Sequence, residues 1–298
     1  MPPRSAVIVI DFAMNYTCFL QDEVQSYHWA PPQVTIHPCY TYINLSEKVS
    51  APTHTEAIIM ISSDLQHDAA AVAKFMSLCS EHLKKCYPGI THMFQFSDCA
   101  ASQYRCCTSF ADISFSQEDL GLQVQRHYFE SSHGKSPADG QGAVIKRAAT
   151  IAVTRREAQI RSAEEFYQFC QEKLTDVGQG VYPSRQREYA DAKRTFMFVK
   201  SEDINHNRPE RQVKPVVGTM TIHCVKASGP PYKIQTRELS CVCDHCLHGV
   251  GDECINANTV GVWKNVQLTP KGILFYCDIF YCLMPVNNAC KEHLLICS

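Results

Sequence analysis

The chain has 298 residues and a mass of 33.6 kDa, which is enough to bury a sizeable core. Its formal net charge is −2, 45% of its residues are hydrophobic, and it has neither a bilayer-length apolar run nor a signal-peptide pattern. These values argue against a disordered chain, a membrane-spanning or secreted protein, and a uniformly basic nucleic-acid-binding protein.

The predicted elements of the N-terminal part alternate between strands and helices. Apolar and β-branched runs predict strands at residues 6–10, 33–43, 56–63, 92–97 and 122–129. Apolar residues at spacings of three and four predict helices at 68–85, 143–153 and 163–174, with a shorter helix between the fourth and fifth strands. Residues 12–32 read as an inserted loop. This order indicates an α/β domain with a mixed sheet flanked by helices.

Beyond Gly178 the pattern becomes mainly β, with strands predicted at 195–199, 216–225 and 232–239. The 17 cysteines are an odd number in a chain without an export signal, which favours reduced thiols over a secreted disulfide framework. Eight of them lie in the last 58 residues. We therefore predict two domains, a catalytic-type α/β domain at 1–178 and a smaller Cys-rich module at 179–298.

Three aspartates occupy positions at which such a fold builds a site. Asp11 ends the first predicted strand, Asp98 ends the fourth, and Asp139 opens the helix after the fifth. If the first and fourth strands are neighbours, as in ribonuclease-H-like sheets, the three carboxylates would converge. Such a group suits two Mg²⁺ or Mn²⁺ ions. Taken singly, each aspartate also suits a local role, as a strand-end cap, a turn residue or a helix cap.

Several phrases of the sequence resemble those of transposon-derived proteins of animal genomes. They are VIDFAMNYTCFLQDEVQSYHW (9–29), FSDCAASQYR (96–105), SSHGKSPADGQGAVIKR (131–147), GTMTIH (218–223) and RELSCVCDHC (237–246). Such proteins are similar to DDE/D transposases. The resemblance implies a ribonuclease-H-like fold, with Asp11 and Asp98 as first and second metal ligands and Asp139 as the third. Many members of that class have Glu at the third position.

The resemblance implies a nuclear protein, or a cytoplasmic one before import, that cleaves and transfers DNA strands with divalent metal ions. The alternative is a domesticated, inactive protein that keeps the fold for binding nucleic acid or protein. A nuclease acting on RNA or hybrid duplexes would share the same site. Such transposases usually carry an N-terminal DNA-binding domain, whereas here Asp11 follows only ten residues, so the sequence is expected to be either a catalytic fragment or the product of a gene that has lost recognition of transposon ends. Self-association into a homo-oligomer is an open alternative.

Basic side chains near the acidic group are candidates for contacts with nucleic acid. They are Arg105, His133, Lys135, Lys146 and Arg147. Residues 146–161 hold five basic side chains against one acidic side chain, which suits a phosphate backbone. The glycines at 140 and 142 would permit close approach of a phosphate. Ordinary alternatives are a solvated helix face, a capped glycine turn and, for Tyr104 beside Arg105, a packed tyrosine.

The C-terminal cysteines predict a structural zinc site. Cys241, Cys243, Cys246 and Cys254 offer four thiolates within fourteen residues. Because a Cys-x-Cys start is unusual, one of the first two could lie outside the metal shell, with His248 in its place. Buried or redox-labile thiols are the alternative. A second site could form from the last group, which consists of Cys277, Cys282, Cys290, His293 and Cys297.

Overall fold

A computed structural model describes residues 2–19, 31–46, 54–129, 136–175, 193–247 and 254–271. The strands are β1 (Ser5–Ile10), β2 (Ala13–Thr17), β3 (Gln33–Asn44), β4 (His54–Ser62), β5 (His92–Ser97), β6 (Gln123–Tyr128), β7 (Lys193–Val199), β8 (Cys224–Ala227), β9 (Lys233–Arg237) and β10 (Lys264–Gln267). The helices are α1 (Ala69–Cys86), α2 (Cys107–Ser114), α3 (Ser116–Leu120), α4 (Pro137–Thr154), α5 (Ala163–Leu174), α6 (Asp244–Leu247) and α7 (Ala257–Val260). The fold is mixed α/β.

The ten strands form one mixed sheet. Its order is β10-β9-β8-β6-β5-β1-β3-β4-β7, and β2 pairs with β3 outside this path. β1 is parallel to β5 and β5 is parallel to β6, whereas β3 is antiparallel to both β1 and β4. β1, β4, β5 and β6 therefore point the same way. Their carboxyl ends lie along one edge, which we call the carboxyl edge.

Helices cover both faces of the sheet. β4 shows why, because its residues 57–61 are all apolar and alternate between two hydrophobic clusters. Ile58 packs in the cluster that includes Phe75 of α1, and Ile59 packs in the cluster that includes Phe166 of α5. No helix in the described segments combines the length and apolar character needed to cross a membrane.

Most predicted helices and strands are confirmed, and three details are wrong. α4 begins at Pro137 rather than at residue 143, because Ser136 and Asp139 form a capping box around a proline at the first turn. The predicted loop at 12–32 contains β2. The predicted strand at 216–225 is instead a 3₁₀ turn at Thr219–Thr221 that follows Gly218, whose φ is 74°, and β8 starts only at Cys224.

The strands that follow the predicted domain boundary belong to the same sheet. β7 pairs with β4 at one side, and β8 pairs with β6 at the other. The boundary near residue 178 lies outside the described residues. The division into 1–178 and 179–298 stays a prediction.

Two side-chain features fix α4 against the sheet. Gly142 is buried, and a Cβ at that position would lie 2.8 Å from the Cβ of Ala13 in β2. Arg194 of β7 is 1% exposed, and it donates through Nε to Gln141 Oε1 at 2.8 Å and through Nη1 to the Leu174 carbonyl at 3.4 Å. The first turn of α4 is thereby held close to β2.

We predict that Gly142→Ala destabilises the protein by about 1–3 kcal/mol, because the added methyl group forces α4 away from β2. Gly140→Ala is the matched control, since a Cβ there meets nothing within 4 Å. It should be neutral or stabilising by about 0.5–1 kcal/mol, because alanine favours the helix. Urea unfolding of both variants measures the difference. Equal stabilities would contradict the close approach.

Candidate functional site: aspartates at the carboxyl edge and a four-thiol cluster

The structure brings the three predicted aspartates to the carboxyl edge. In the parallel pair of β1 and β5, the last partners are Val9 and Phe96. Asp11 and Asp98 each lie two residues beyond them, so the register sets the two aspartates side by side. Asp139 arrives from the first turn of α4, which packs against β2 next to the end of β1.

The three carboxyl groups interact electrostatically. Burial, the charges of Asp98 and Asp139, and a hydrogen bond with the Asp139 side chain together raise the pKa of Asp11 from 3.8 to about 7. Burial is the largest of these causes, because a desolvated carboxylate is costly. Like charges are therefore concentrated here, and a proton or a cation would relieve their repulsion.

Asp98 and Asp139 also act as local caps, the alternative role that the sequence allowed for each of them. Asp98 Oδ1 accepts a hydrogen bond from the Ala100 backbone N–H at 3.0 Å, and Asp139 Oδ2 accepts one from the Ser136 N–H at 2.9 Å. The group is also loose. Among described residues, the aspartates do not place one oxygen each within 4.8 Å of one another, a criterion that four cysteines meet.

A second polar cluster lies at the same edge, after β4. Asp68 caps α1 by accepting hydrogen bonds from the N–H groups of Ala70 and Ala71. His206 donates from both ring nitrogens, to Asp64 Oδ2 at 3.0 Å and to Asp68 Oδ2 at 2.9 Å. Sequence reasoning missed His206, because no local pattern marks an isolated histidine 138 residues away from its partner.

His67 connects this second cluster to the aspartates. Its ring stacks on Phe12, the neighbour of Asp11, with centroids 4.2 Å apart. Its Nε2 forms a hydrogen bond with Thr35 Oγ1 at 2.9 Å. Burial lowers the pKa of His67 below its ordinary value, which favours the neutral ring.

The residues predicted to contact nucleic acid differ in how exposed they are. Arg105 is 5% exposed and donates from Nη1 to the Met220 carbonyl at 3.1 Å, so its side chain is buried rather than on the surface, and its phosphate contact stays a prediction. Tyr104 is buried, as in the packed alternative. Lys146 donates to the Met14 carbonyl at 3.0 Å, and Arg147 is exposed. The remaining two candidates, His133 and Lys135, lie outside the described residues.

The four predicted zinc ligands come together beyond β9. The sulfur atoms of Cys241, Cys243, Cys246 and Cys254 all lie within 4.8 Å of one another. Cys254 Sγ is 3.6 Å from Cys241 Sγ and 3.9 Å from Cys243 Sγ. Four thiolates around Zn²⁺ at about 2.3 Å would be roughly 3.8 Å apart, whereas a disulfide would need about 2.05 Å. The cluster could hold a metal ion such as zinc.

Both cysteines of the Cys-x-Cys start belong to this group, and His248 lies outside the described residues. The second predicted group, at 277–297, also lies outside them. Arg237, the last residue of β9, is 3% exposed and donates from Nη1 to Cys246 Sγ at 3.2 Å. A cation at this position offsets the negative charge of thiolates. The one sequence signal for this contact is that Arg237 precedes the first cysteine of the cluster, Cys241, by four residues.

We predict that Asp11→Asn stabilises the protein at pH 8 by about 1–3 kcal/mol without added divalent cations. The folded pKa of Asp11 is about 7 and its ordinary value is 3.8. The folded state therefore binds more protons between those values, and stability falls as pH rises through that window. Asparagine removes this loss, so the variant and the wild type should match at pH 3.5.

Asp64→Asn is the matched control for that experiment. Asp64 accepts hydrogen bonds from His206 and Ser201, and these bonds lower its pKa although burial opposes them. Its charge therefore stabilises the folded state, and the substitution should destabilise the protein at pH 8. Chemical unfolding at both pH values measures the two effects. A less stable Asp11→Asn at pH 8 would mean that the repulsion is absent.

We predict that Cys246→Ser removes one high-affinity metal site. Co²⁺ bound by four thiolates gives a sulfur-to-metal charge-transfer band, which this variant should lose in part. Cys86→Ser, which changes an exposed thiol on α1, should retain the band. Zinc should raise the free energy of unfolding by about 4 kcal/mol when its free concentration is 1,000 times Kd. Equal metal content in the two variants would rule the cluster out.

Comparison with known proteins places the chain in a family without assigning an activity. A protein-family model described as "Domain of unknown function (DUF8701)" matches residues 1–240. The match ends one residue before Cys241, so the four-thiol cluster lies beyond it. No curated protein and no solved structure matches the chain significantly. The model spans most of the chain, and the protein belongs to the DUF8701 family.

Proposed function

We propose that this protein is a transposase-derived, ribonuclease-H-like domain that cleaves and transfers DNA phosphodiesters. The proposal rests on one observation above all. Asp11, Asp98 and Asp139 are brought to the carboxyl edge from three separate elements, and burial, together with the charges of Asp98 and Asp139, raises the pKa of Asp11 to about 7. Perturbed carboxyls at the carboxyl ends of parallel strands are typical of functional sites.

The sheet order supports the ribonuclease-H-like part of the proposal. The sequence argument required the first and fourth predicted strands to be neighbours, and β1 and β5 are parallel neighbours. On the other side of β1, β3 and β4 complete an antiparallel unit. Helices on both faces leave the carboxyl edge as the place at which side chains from several strands can meet.

The donor set fits a hard divalent cation such as Mg²⁺. Three carboxylates supply oxygen ligands, and their mutual repulsion gives a cation a favourable place to bind. When bound, a pair of such ions would activate water and stabilise the leaving oxygen of a phosphodiester. Asp139 is the most exposed of the three, and its carboxylate is also engaged in capping α4.

The residues of the chain would contribute proton handling and positioning. Asp11, with its pKa near 7, is partly protonated at neutral pH, so it can release its proton when a cation or substrate arrives. His67 stacks on Phe12, the chain neighbour of Asp11, and so helps to position the backbone beside it. Arg147 is exposed on α4, about two helical turns after Asp139, and could contact a DNA phosphate.

The four-thiol cluster would have a structural role in this function. Four thiolate ligands fill a tetrahedral zinc site and leave no position for a substrate. The proposed partner is DNA, and the proposed location is the nucleus. Whether the protein acts alone or as a homo-oligomer does not alter the chemistry of the aspartates.

A second candidate is an inactive protein that keeps the fold for binding. It is favoured by the loose arrangement of the aspartates and by the hydrogen bonds that occupy Asp98 and Asp139 as local caps. Titration with Mn²⁺ separates the two candidates. The catalytic candidate requires saturable binding that Asp98→Asn weakens, and the binding-only candidate requires none at this edge.

The catalytic proposal is tested with supercoiled plasmid DNA and Mg²⁺ or Mn²⁺. We expect the wild-type protein to nick the plasmid and Asp98→Asn to lower the rate at least 100-fold, because removing a metal-ligand charge removes several kcal/mol of transition-state stabilisation. Glu157→Gln, which changes an exposed carboxylate after α4, should retain the wild-type rate. Nicking by Asp98→Asn at the wild-type rate would refute the assignment. Parallel assays with RNA and hybrid duplexes identify the substrate.

A further inference from the structure

A group of reactive side chains lies at the edge of the sheet opposite to the carboxyl edge. β4 begins at that edge, and α1, which follows β4, ends there with Cys86. Among the cysteines of the described segments, Cys86 alone is exposed. Its Sγ lies 3.8 Å from Nδ1 of His82, close enough for a hydrogen bond that involves sulfur. The two residues are four apart on one helix and therefore share a face of α1.

The imidazole of His82 is held from its other side by a buried carboxylate. Its Nε2 lies 3.0 Å from Oε1 of Glu56, whose side chain is fully buried. A carboxylate accepts hydrogen bonds and does not donate them, so Nε2 carries the proton and the neutral ring presents Nδ1 to Cys86 as an acceptor. Thiol, imidazole and carboxylate in this order form a nucleophile with an oriented base.

The other contacts of Glu56 keep it an anion. It accepts hydrogen bonds from the hydroxyl groups of Tyr87, at 2.8 Å, and Thr195, and Lys193 Nζ lies 3.4 Å from Oε1. Burial would raise the pKa of Glu56, but the hydrogen bonds that it accepts lower the pKa to about 2. Lys193 is 55% exposed, so water screens its charge, whereas the His82 side chain is only 12% exposed. Glu56 therefore orients the ring of His82 and can stabilise a positive charge on it.

The position of Cys86 restricts the chemistry that this group can support. Acyl transfer requires N–H donors for an oxyanion, and the last turn of a helix presents carbonyl oxygens instead. Thiol–disulfide exchange requires only a thiolate, access to a disulfide and a proton for the sulfur that leaves. The exposure of Cys86 gives a soluble disulfide that access. Because the helix dipole disfavours an anion at the carboxyl end, a nearby proton acceptor such as His82 is needed to form the thiolate.

We propose that Cys86 is a site of modification by small soluble disulfides, with His82, oriented by Glu56, as its proton acceptor. The thiol proton moves to Nδ1 of His82 as the Cys86 sulfur attacks one sulfur of the disulfide. The S–S bond of the reagent breaks, a new S–S bond forms to Cys86, and the proton passes from His82 to the departing thiolate. One S–S bond replaces another, so the exchange consumes no further oxidant.

The test follows the reaction of the full chain with glutathione disulfide, with the adduct at Cys86 quantified by peptide mapping and mass spectrometry. The reference is the same residue in the chain unfolded by guanidinium chloride at the same pH. Exposure alone cannot make a folded thiol react faster than an unfolded one, whereas proton transfer to His82 can. We therefore expect the native rate to be about tenfold higher or more. A native rate equal to or below the unfolded rate would overturn the proposal.

A substitution at position 82 identifies the proton acceptor. His82→Gln should lower the native rate at Cys86 to the unfolded rate or below it, because glutamine cannot take the thiol proton. Glu81→Gln, which changes an exposed side chain of the same helix, should react as the wild type does. A wild-type rate in His82→Gln would also overturn the proposal. The comparison with the unfolded wild-type chain requires no variant, so it decides the proposal even if a substitution loosens the fold.

Glu56→Gln separates positioning from a purely structural role. It should lower the rate at Cys86, because the ring of His82 loses the charge that favours its protonation, and leave the rates of the half-buried thiols of Cys106 and Cys107 unchanged. A loosened fold would raise the rates of those two thiols instead. An unchanged rate at Cys86 in Glu56→Gln would refute the part assigned to Glu56.

Discussion

The direction of β1 relative to its two neighbours is the constraint on which the rest of the structure depends. β1 is antiparallel to β3 and parallel to β5, so the chain enters the sheet as a hairpin-like unit and then continues through parallel crossovers. Because of this arrangement, the carboxyl ends of β1, β4 and β5 lie at the same edge of the sheet. Asp11, Asp64 and Asp98 each follow one of these strands, so backbone pairing places all three along this edge, with Asp11 and Asp98 as neighbours.

The third aspartate depends on helix packing instead. Asp139 reaches the carboxyl edge because α4 approaches β2 to a distance that only glycine at position 142 permits. The buried Arg194 and Gln141 then hold the helix at that position. A fold that brings carboxyl groups together against their repulsion sacrifices some stability at that place, which is characteristic of sites kept for binding or chemistry.

Local patterns in the sequence carried a large part of the fold. The bounds of β5 and α5 match the predicted ones, because an alternating apolar run and a clear period of three to four specify each. The start of α4 was missed because two glycines and a proline read as a turn. The strand predicted at 216–225 failed because Gly218 has a positive φ, which interrupts the extended run. Hydrophobic content alone cannot show that interruption.

The candidate sites also differ in how far local sequence could predict them. Cysteines close together in the chain form a cluster in space, so spacing could find the four thiols. The convergence of the aspartates could be predicted only by assuming a strand order. Pairings across long separations, such as His206 with Asp64, leave no trace in local sequence, and neither does burial of a charged side chain such as Arg105.

Arg237 links the four-thiol cluster to the sheet. It ends β9, pairs in register with Cys224 of β8, and its guanidinium lies 4.9 Å from the centre of the Trp263 ring next to β10. A buried cation that has lost its anionic partner is strongly unfavourable. If the four thiols hold a metal ion, its loss would therefore loosen the sheet margin at β9 and β10. Metal supply would then act on the protein's resistance to proteolysis as well as on its folding.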